Sequence, residues 1–477
     1  MYTKLALLID GKWIEETDAG SEPVLNPATE QPLATLPHAG KAELDRALAA
    51  ADKAYQSWSR TSAYERGQIL RRAADLIRQR VDKIATVLTL EEGKTFAEAK
   101  GEITAAAEFF DWFAEECRRS YGRIIPSRLP NLSLTVTQEP VGPVACFTPW
   151  NFPAVTPARK IAPALAAGCT CIIKPAEETP GTTLELARAL VDAGLPDGVL
   201  NVVFGVPGDV SEYLIKSPVI RKISFTGSTP VGRHLSKLAG ENLKLATMEL
   251  GGHAPVIVCK DADIPKAAEI CMAIKLRNTG QVCTSPTRFF VERPVYESFL
   301  EHAKAYVDKQ VVGDGFEAAT TVGPVANPRR VAAITELIDD ALSHSARLVT
   351  GGERLNRAGW MLKPTILADM PDSAKAMSQE PFGPLALVQP VEDLDGALAK
   401  ANALPYGLAG YAFTRSDVSA CKIKERLAVG VIGINQMVVT IPETPFGGVK
   451  DSGWGREGGI EGLEAYTVKK FVGHLHN

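Results

Sequence analysis

Four short apolar runs follow one another between residues 144 and 225: Val144-Ala145-Cys146-Phe147, Cys171-Ile172-Ile173, Leu200-Asn201-Val202-Val203-Phe204 and Lys222-Ile223-Ser224-Phe225. Ala- and Leu-rich segments with a helical pattern separate them. Short apolar strands that alternate with helices are typical of a parallel sheet with helices on its faces. A second such region begins at 254–258 and continues with strand candidates at 288–291 and 385–388. The sequence therefore predicts an α/β fold.

The two ends of the chain do not show this alternation of strands and helices. The first hundred residues are predicted to be helical after one short strand. Ser62 and Glu65 have the spacing of a capping box, which would begin an amphipathic run through about Leu90 that closes near Gly93. The apolar, β-prone segment 466–472 would be a poor free end, so we expect it to pair with another segment, for which another subunit is one candidate.

Size and charge indicate an ordinary globular enzyme. A chain of 477 residues predicts about three domains and a core large enough to need no disulfide or metal. The hydrophobic content is 45%, the charged content is 23% and the net charge is −4. This balance argues against nucleic acid or an anionic membrane as the main partner, because neither a basic excess nor a basic run is present.

The numbers and spacing of cysteines and histidines indicate the cellular setting and whether a metal site is expected. Eight cysteines without a regular framework favour a reduced, cytoplasmic setting. The seven histidines form no His-x-x-x-His pair, which predicts no metal site. No stretch reaches the roughly 18 apolar residues of a membrane span. We therefore expect a cytoplasmic enzyme that works without a metal.

A thiol and a carboxylate stand out as candidate catalytic groups. Cys283 ends the polar, glycine-led turn Gly280-Gln281-Val282-Cys283, whereas an ordinary lone cysteine is a small buried apolar residue. Glu249 is followed by Leu250 and two glycines. A thiol can capture a carbonyl carbon as a covalent adduct, and a carboxylate can then activate water against that adduct.

Polar residues also follow the predicted strands, where α/β folds place their ligands. Asn151 offers an uncharged amide to a developing oxyanion, although a turn asparagine between prolines is an equally good interpretation. Lys174 and Glu177 could hold the two hydroxyls of a ribose, or simply be solvated. A carboxylate at that place favours NAD over NADP, because a 2′-phosphate would meet like charge.

Two later motifs are weaker by themselves. Gly227 permits a tight turn, and Ser228 can cap the next helix and face a pyrophosphate. The spacing departs from Gly-x-Gly-x-x-Gly, so a plain strand-to-helix turn is the alternative. Glu380 and Phe382 place a carboxylate and an aromatic ring on a loop before a strand.

Taken in order, the motifs resemble the aldehyde dehydrogenase superfamily from about Leu8 to Phe471, and they are most similar to succinate-semialdehyde and α-ketoglutaric semialdehyde dehydrogenases. The motifs that carry the resemblance are Trp150-Asn151-Phe152-Pro153, Lys174-Pro175-Ala176-Glu177, Phe225-Thr226-Gly227-Ser228, Glu249-Leu250-Gly251-Gly252, Gly280-Gln281-Val282-Cys283 and Glu380-Pro381-Phe382-Gly383. The resemblance implies that Cys283 is the nucleophile, Glu249 the general base and Asn151 an oxyanion donor.

The resemblance also implies how the cofactor is held. Lys174 and Glu177 would bind the adenosine ribose, Ser228 after Gly227 the pyrophosphate, and Glu380 the nicotinamide ribose. The cofactor path would be lined by Trp150, Leu250 and Phe382. The expected cofactor is NAD, with NADP as the alternative.

The fold implied by the resemblance has three parts. They are a Rossmann-type cofactor domain (1–121 and 141–251), an α/β catalytic domain (252–440) and a small β bridging or oligomerisation element (122–140 and 456–477). The implied assembly is a homodimer or a homotetramer, and the sequence does not choose between them.

Two arginines suggest the substrate class. Arg159 lies eight residues after Asn151, and Arg277 lies six residues before Cys283. Both positions look like the carboxylate-holding arginines of succinate-semialdehyde dehydrogenases, and arginine binds carboxylates in a bidentate way. The expected substrate is an ω-carboxylated semialdehyde (succinate, glutarate or α-ketoglutarate semialdehyde). Internal ion pairs are the alternative explanation for the two arginines.

The sequence leaves three other functions open. The fairly apolar loop around Thr440 suits a broad-specificity enzyme for aliphatic or aromatic aldehydes. A non-catalytic scaffold relative would have lost part of the set Cys283, Glu249 and Asn151, which is intact here. An acylating enzyme would pass its thioester to coenzyme A, whereas Glu249 favours hydrolysis. Ser285 occupies the place of a second cysteine found in some relatives, so no disulfide switch is expected there.

Overall fold

A computed structural model of the chain describes residues 2–476. In chain order the strands are β1 (Leu7–Ile9), β2 (Lys12–Ile14), β3 (Ser21–Leu25), β4 (Pro32–Pro37), β5 (Arg123–Ile125), β6 (Leu132–Pro140), β7 (Val144–Phe147), β8 (Cys171–Lys174), β9 (Leu200–Val202), β10 (Lys222–Thr226), β11 (Leu245–Glu249), β12 (Ala254–Val258), β13 (Pro286–Glu292), β14 (Arg347–Thr350), β15 (Thr365–Ala368), β16 (Leu385–Val391), β17 (Ala409–Phe413), β18 (Val431–Ile434), β19 (Gly453–Trp454) and β20 (Thr467–Leu475).

Helices connect and cover these strands. In chain order they are α1 (Lys41–Trp58), α2 (Ala63–Gln79), α3 (Val81–Glu92), α4 (Phe96–Glu116), α5 (Val155–Ala167), α6 (Pro180–Asp192), α7 (Pro207–Lys216), α8 (Thr229–Glu241), α9 (Ile264–Leu276), α10 (Tyr296–Val307), α11 (Pro328–Ser343), α12 (Leu394–Asn402), α13 (Asp417–Arg426) and α14 (Gly459–Glu464). None of the helices in the described residues is long and apolar enough to cross a membrane.

The first sheet contains the four apolar runs with which the sequence argument began. Its strand order is β19-β11-β10-β7-β8-β9-β1-β2, and the strands from β11 to β9 are parallel to their neighbours. The predicted parallel sheet is therefore confirmed. Strands β7 and β8 are buried along their whole length, as expected for strands that carry helices on both faces.

The second sheet has the order β14-β15-β16-β13-β12-β17-β18. Alternate residues of its central strands belong to two different core clusters: Val256 and Phe289 lie in one, and Ile257 and Phe290 lie in the other. Successive side chains of a strand point to opposite faces, so both faces of this sheet are covered. The predicted strands at 254–258, 288–291 and 385–388 are confirmed as parts of β12, β13 and β16.

The ends of the strands determine where the polar motifs lie. Asn151 follows β7, Ser228 follows β10, and Glu249 is the last residue of β11. Because these three strands are parallel neighbours, their carboxyl ends share one edge of the first sheet. Cys283 lies in the connection between α9 and β13 of the second sheet. The candidate residues therefore come from two sheets.

The C-terminal segment is a strand, as its composition predicted. Strand β20 pairs antiparallel with β6 of the same chain over nine residue pairs, and the sheet order is β20-β6-β5. Strand β20 forms one edge of this sheet, and Phe471 on it is 62% exposed. The apolar strand thus finds a partner within the chain while its outer edge stays open.

The N-terminal prediction was partly wrong. Four strands, β1 to β4, precede the first helix, but each has only three to six residues, which is too short for a clear alternation of apolar and polar residues. The capping box of Ser62 and Glu65 is present, and Gly93 ends the helical region with a φ of +95°. The predicted single helix is interrupted at Arg80, whose backbone leaves the helical conformation between α2 and α3.

Candidate active site

A cavity of about 970 Å³ is lined by residues from segments adjoining both sheets, and Cys283, Glu249 and Asn151 are among them. Residues from β11, from the segment after β7 and from the α9–β13 connection therefore contribute to one space. The sequence predicted these three residues as a group, and the structure brings them together.

The nucleophile candidate sits in a firmly held turn. The backbone N–H of Ser285 donates to the carbonyl of Val282 at 2.9 Å, and the Tyr411 hydroxyl donates to the carbonyl of Thr284 at 2.8 Å. Gly280 has a φ of +72°, and a Cβ there would lie 2.1 Å from the carbonyl oxygen of Gly383. Only glycine permits this close approach, which brings the Cys283 turn against the Glu380 loop.

The environment of Cys283 opposes ionisation. The side chain is half-buried, and burial together with the charge of Glu380 raises the pKa of its thiol to about 12. Arg159 acts in the opposite direction. A thiolate is the reactive form of cysteine, so this thiol needs a base or a further positive field before it can attack.

Glu249 is a buried carboxyl group with no hydrogen bond. It is 2% exposed, and neither of its carboxyl oxygens has a partner in the described structure. Burial and the neighbouring Glu457 raise its pKa well above the usual range, while Lys160 and Arg159 oppose the shift. A carboxyl group with a raised pKa is a stronger base than a solvated one once it is ionised.

A buried ion pair beside Glu249 was not found from the sequence. The Lys160 ammonium donates to a carboxylate oxygen of Glu457 at 2.5 Å and to the Ser224 hydroxyl at 3.0 Å. Glu457 also lines the cavity. Lys160 and Glu457 come from α5 and from the segment before α14, almost 300 positions apart, so no local pattern could have linked them.

Asn151 is positioned from both sides. One N–H of its amide donates to the carbonyl of Gln281 at 2.8 Å, which ties it to the cysteine turn. Its own backbone carbonyl accepts bonds from the Lys94 ammonium and the Asn278 amide, both at 2.9 Å. An amide has two N–H donors, so one remains for a ligand in the cavity.

Both predicted substrate arginines line the same cavity. The Arg159 guanidinium lies between two aromatic rings, 4.9 Å from the centre of Phe109 and 4.6 Å from that of Phe446. Arg277 is exposed and lies 5.2 Å from the ring centre of Phe152. Neither makes an ion pair or a hydrogen bond within residues 2–476, so the alternative of internal ion pairs finds no support.

Most of the predicted cofactor residues also line the cavity; they are Trp150, Gly227, Ser228, Leu250, Glu380 and Phe382. The rings of Trp150 and Phe382 meet edge to face, with centres 5.5 Å apart. Ser228 precedes α8, and its side chain makes no capping bond. The N-terminus of this helix therefore keeps backbone donors and a hydroxyl for an anion such as a pyrophosphate.

Lys174 and Glu177 do not line this cavity. They lie at and just after the end of β8, where the Lys174 ammonium and the Glu177 carboxylate form an ion pair with each other. Burial raises the pKa of Glu177, and the Lys174 charge opposes that shift. A ribose bound at this place would have to contact the ion pair of Lys174 and Glu177.

Comparisons with known proteins identify the family of this chain. The model of the Aldehyde dehydrogenase family matches residues 13–472. The chain belongs to the aldehyde dehydrogenase family. It is 48% identical to 4-(hydroxymethyl)benzenesulfonate dehydrogenase TsaD1 of Comamonas testosteroni, with 100% of this chain and 99% of that protein covered.

Two further relatives are named succinate-semialdehyde dehydrogenase. Succinate-semialdehyde dehydrogenase [NADP(+)] GabD of Escherichia coli is 43% identical over 98% of this chain and 96% of its own length. The crystal structure of succinate-semialdehyde dehydrogenase from Burkholderia pseudomallei superposes with a TM-score of 0.97 at 42% identity, covering 99% of this chain and 98% of that one. The aldehyde dehydrogenase fold is thereby established for this chain.

This aldehyde dehydrogenase is an NAD(P)-dependent enzyme, and its cavity fits such a cofactor. The helix N-terminus at Ser228, the hydroxyl of Thr226, which is buried and has no hydrogen-bond partner among the described residues, and the carboxyl group of Glu380 all line the same cavity. They offer donors for phosphates and an acceptor for ribose hydroxyls. Within residues 2–476 no group of three or more His, Cys, Asp or Glu side chains could hold a metal ion.

Proposed function

We propose that this enzyme oxidises an aldehyde bearing a distal carboxylate to the corresponding acid, with NAD as cofactor. The observation that carries the proposal is the presence of Arg159 and Arg277 in the cavity that contains Cys283, neither with an acidic partner within residues 2–476. Guanidinium groups left unpaired beside a nucleophile offer a place for the far carboxylate of a semialdehyde. Succinate, glutarate and α-ketoglutarate semialdehyde have this form.

The proposed chemistry begins at the sulfur. Cys283 attacks the aldehyde carbon, and the free N–H of the Asn151 amide together with the backbone N–H of Cys283 holds the oxyanion of the thiohemiacetal. A nicotinamide cofactor, which Ser228 and Glu380 would hold, would supply the hydride-acceptor chemistry when bound, and Cys283 would then carry the acyl group as a thioester. Glu249 then takes a proton from water, and the resulting hydroxide releases the acid from the sulfur.

The proton inventory of the cavity supports these roles. The raised pKa of Cys283 makes a spontaneous thiolate scarce at neutral pH, while Glu249, whose carboxyl oxygens have no hydrogen-bond partner within residues 2–476, could accept the thiol proton when it is ionised. Arg159 lowers the pKa of Cys283 and so stabilises the thiolate once it forms. The same base would act twice: it would take the thiol proton, release that proton to solvent, and then take a proton from water.

The preference for NAD rests on Glu177. A 2′-phosphate on the adenosine ribose would bring negative charge next to this carboxylate, whereas a 2′-hydroxyl would not. Against this, the name of the Escherichia coli relative specifies NADP(+). Comparing kcat/KM for both cofactors at fixed ionic strength tests the point, and a higher value with NADP would overturn the proposed preference.

A second candidate substrate class is an aromatic aldehyde that carries an anion. The rings of Phe109 and Phe446 flank Arg159, and Val438 and Val439 also line the cavity. The name of the Comamonas testosteroni relative contains a benzenesulfonate, which has an aromatic spacer and an anionic end. Such a compound could pair with the same arginines.

A substrate panel separates the two classes and tests the anion requirement. Succinate semialdehyde, glutarate semialdehyde, 4-carboxybenzaldehyde, benzaldehyde and hexanal would be compared by kcat/KM from the appearance of NADH. The proposal expects the carboxylated aldehydes to exceed their neutral counterparts by about 10²-fold or more, the worth of one to two charge-assisted hydrogen bonds. Equal values for benzaldehyde and 4-carboxybenzaldehyde, and for hexanal and glutarate semialdehyde, would refute it.

We further propose a homodimer or homotetramer built through the small β element 122–140 and 456–477. Strand β20 has a free edge and exposed apolar side chains, including Phe471 and Leu475, which would be costly in a lone monomer. The separate sheets support the proposed division into a cofactor domain (1–121 and 141–251) and a catalytic domain (252–440). Light scattering after size-exclusion chromatography would give the mass, and a monomer at micromolar concentration would refute the assembly.

A further inference from the structure

A buried lysine and a buried glutamate lie beside Asn151 and have no role in the chemistry described so far. Lys94, in the short connection between α3 and α4, is 1% exposed, and Glu102, on α4, is 6% exposed. Their side chains form an ion pair with an N–O distance of 2.6 Å, and both residues line the cavity. A buried ion pair contributes little net stability, because the desolvation of two charges offsets much of their attraction. Its position beside Asn151 instead indicates a role in the site.

The Lys94 ammonium holds the backbone of Asn151. It donates to the Asn151 carbonyl at 2.9 Å and to a carboxylate oxygen of Glu102 at 2.6 Å. It also lies 4.2 Å from the ring centre of Phe152, the next residue along the chain. An ammonium has three N–H donors, so each of them can face one of these three neighbours.

Glu102 holds the other end of the same segment. Its second carboxylate oxygen accepts the backbone N–H groups of Ala154 at 2.8 Å and of Val155 at 3.3 Å, where α5 begins. A negative charge is favourable there, because the first N–H groups of a helix lack partners within the helix and form the positive end of its dipole. The ion pair of Lys94 and Glu102 therefore holds segment 151–155 at both ends.

The direction of the Asn151 side chain depends on this backbone. Its amide donates to the carbonyl of Gln281, and the Asn278 amide donates to the same Asn151 carbonyl as Lys94 does. Gln281 and Asn278 belong to the segment that leads to Cys283, whereas Lys94 comes from the helical layer. Lys94 is therefore the contact that fixes Asn151 against the first domain rather than against the cysteine segment.

The charges of the pair balance each other at neutral pH. Glu92 is a second carboxyl group near Lys94, with an N–O distance of 3.8 Å. Burial raises the pKa of Glu92 to about 8, and the Lys94 charge opposes this shift. Glu92 is therefore mostly protonated at pH 7, and the Lys94 ammonium faces one carboxylate, that of Glu102. Removal of the ammonium alone would leave this carboxylate buried without a cation, which is costly.

We propose that Lys94 is a positioning residue for the oxyanion donor and that Glu102 holds Lys94 in place. The inference rests on the proposed function, in which the Asn151 amide holds the oxyanion of the thiohemiacetal. Lys94 binds the Asn151 carbonyl and thereby sets where the free amide N–H points, without taking part in a bond to the aldehyde. A misplacement of about 1 Å in such a group can cost about 10²-fold in rate.

The test is a double-mutant cycle between Lys94→Met and Asn151→Ala. The rate of NADH formation in the first turnover is measured by rapid mixing with saturating NAD and hexanal. Hexanal has no carboxylate, so the proposed anion contact of Arg277 does not enter the readout. Lys83→Met is the matched control, because Lys83 also pairs with a buried carboxylate, that of Glu185, and neither of these two residues lines the cavity.

We expect Lys94→Met to lower the first-turnover rate by about 10- to 100-fold, with a change in KM for hexanal of less than about threefold. In the Asn151→Ala background the same change should lower the rate by less than about twofold, because the donor that Lys94 positions is gone. Lys83→Met should match wild type. An equal loss in both backgrounds would show that Lys94 acts through general stability and would overturn the inference, as would a wild-type rate in Lys94→Met.

A second variant keeps the test decisive if Lys94→Met does not fold. Lys94→Met combined with Glu102→Gln removes both charges, and the new amide carbonyl can still accept the N–H groups of Ala154 and Val155. The same loss of rate is expected, again absent in the Asn151→Ala background, and a wild-type rate overturns the inference. Thermal unfolding checks that each variant is folded at the assay temperature. A wild-type rate in Asn151→Ala, or a wild-type protein that oxidises no aldehyde, would instead refute the proposed function.

Discussion

Replacing Arg159 by methionine separates substrate recognition from catalysis. The guanidinium is stacked between the rings of Phe109 and Phe446 and makes no ion pair within residues 2–476. Methionine has a similar length and can fill the space between the rings. Because no acid loses its partner, the change leaves no uncompensated carboxylate behind, and the fold should tolerate it. The loss of two cation–π contacts costs about 1–2 kcal/mol in stability.

The effect on an anionic substrate should be much larger. Hydrogen bonds to charged groups contribute about 1.5–3 kcal/mol each, so two guanidinium N–H groups on one carboxylate supply about 3–6 kcal/mol. At 1.36 kcal/mol for each tenfold change, this corresponds to about 10²- to 10⁴-fold in kcat/KM. Arg277 remains in the variant and holds part of the anion, so we expect the lower end, about 10²-fold.

The assay compares the preference for an anionic over a neutral aldehyde between wild type and variants. The value of kcat/KM for succinate semialdehyde divided by that for hexanal is measured for wild type and for Arg159→Met, with Arg277→Met as a companion variant. Any general damage to the site affects both aldehydes and cancels. If the ratio changes by less than threefold in Arg159→Met, the arginine does not recognise the substrate anion. A fall in kcat/KM for both aldehydes together leaves the ratio unchanged and would likewise refute a role for Arg159 in anion recognition.

Three further outcomes are expected. Glu249→Gln should slow NADH formation in the first turnover as well as in the steady state, because Glu249 takes both the thiol proton and a proton of water; rapid-mixing absorbance at 340 nm measures both rates, and a burst at the wild-type rate would show that Glu249 does not act on the thiol. Asn151→Ala should lower kcat by about 10²–10³, the worth of one oxyanion donor, with a smaller change in KM; equal kcat values in steady state would contradict that role. The kcat/KM of wild type should rise from pH 6 toward pH 9, because both Cys283 and Glu249 have raised pKa values and act as anions; an acid limb centred near pH 4.5 would be inconsistent with this.

The residues that the sequence located best are those at strand ends. Asn151, Ser228 and Glu249 each follow a short apolar strand, and parallel strands bring their carboxyl ends to one edge. A local pattern was therefore enough to place three residues that are far apart in the chain. Cys283 was identified by its glycine-led turn, and the structure shows that Gly280 is needed for the approach to the Glu380 loop.

Other features depend on contacts that no local pattern encodes. The pair of Lys160 and Glu457 joins two distant segments beside Glu249, and Lys94 meets Asn151 across 57 positions of the chain. The interruption at Arg80 was missed because helix-forming residues continue on both sides of it. The charge around Cys283 also depends on packing, since Arg159 and Glu380 come from opposite directions in the chain.

Arg159 has two effects that compete with each other. Its charge lowers the pKa of Cys283, and the same charge is the proposed partner of the substrate carboxylate. A carboxylate that binds the guanidinium weakens the positive field at the sulfur, so a well-bound anionic substrate makes the thiolate harder to form. A site that relied on Arg159 alone to activate the thiol would therefore lose activation as it gained specificity. A separate base removes this conflict, and Glu249, which is buried and makes no side-chain hydrogen bond in the described part of the chain, lies in the same cavity.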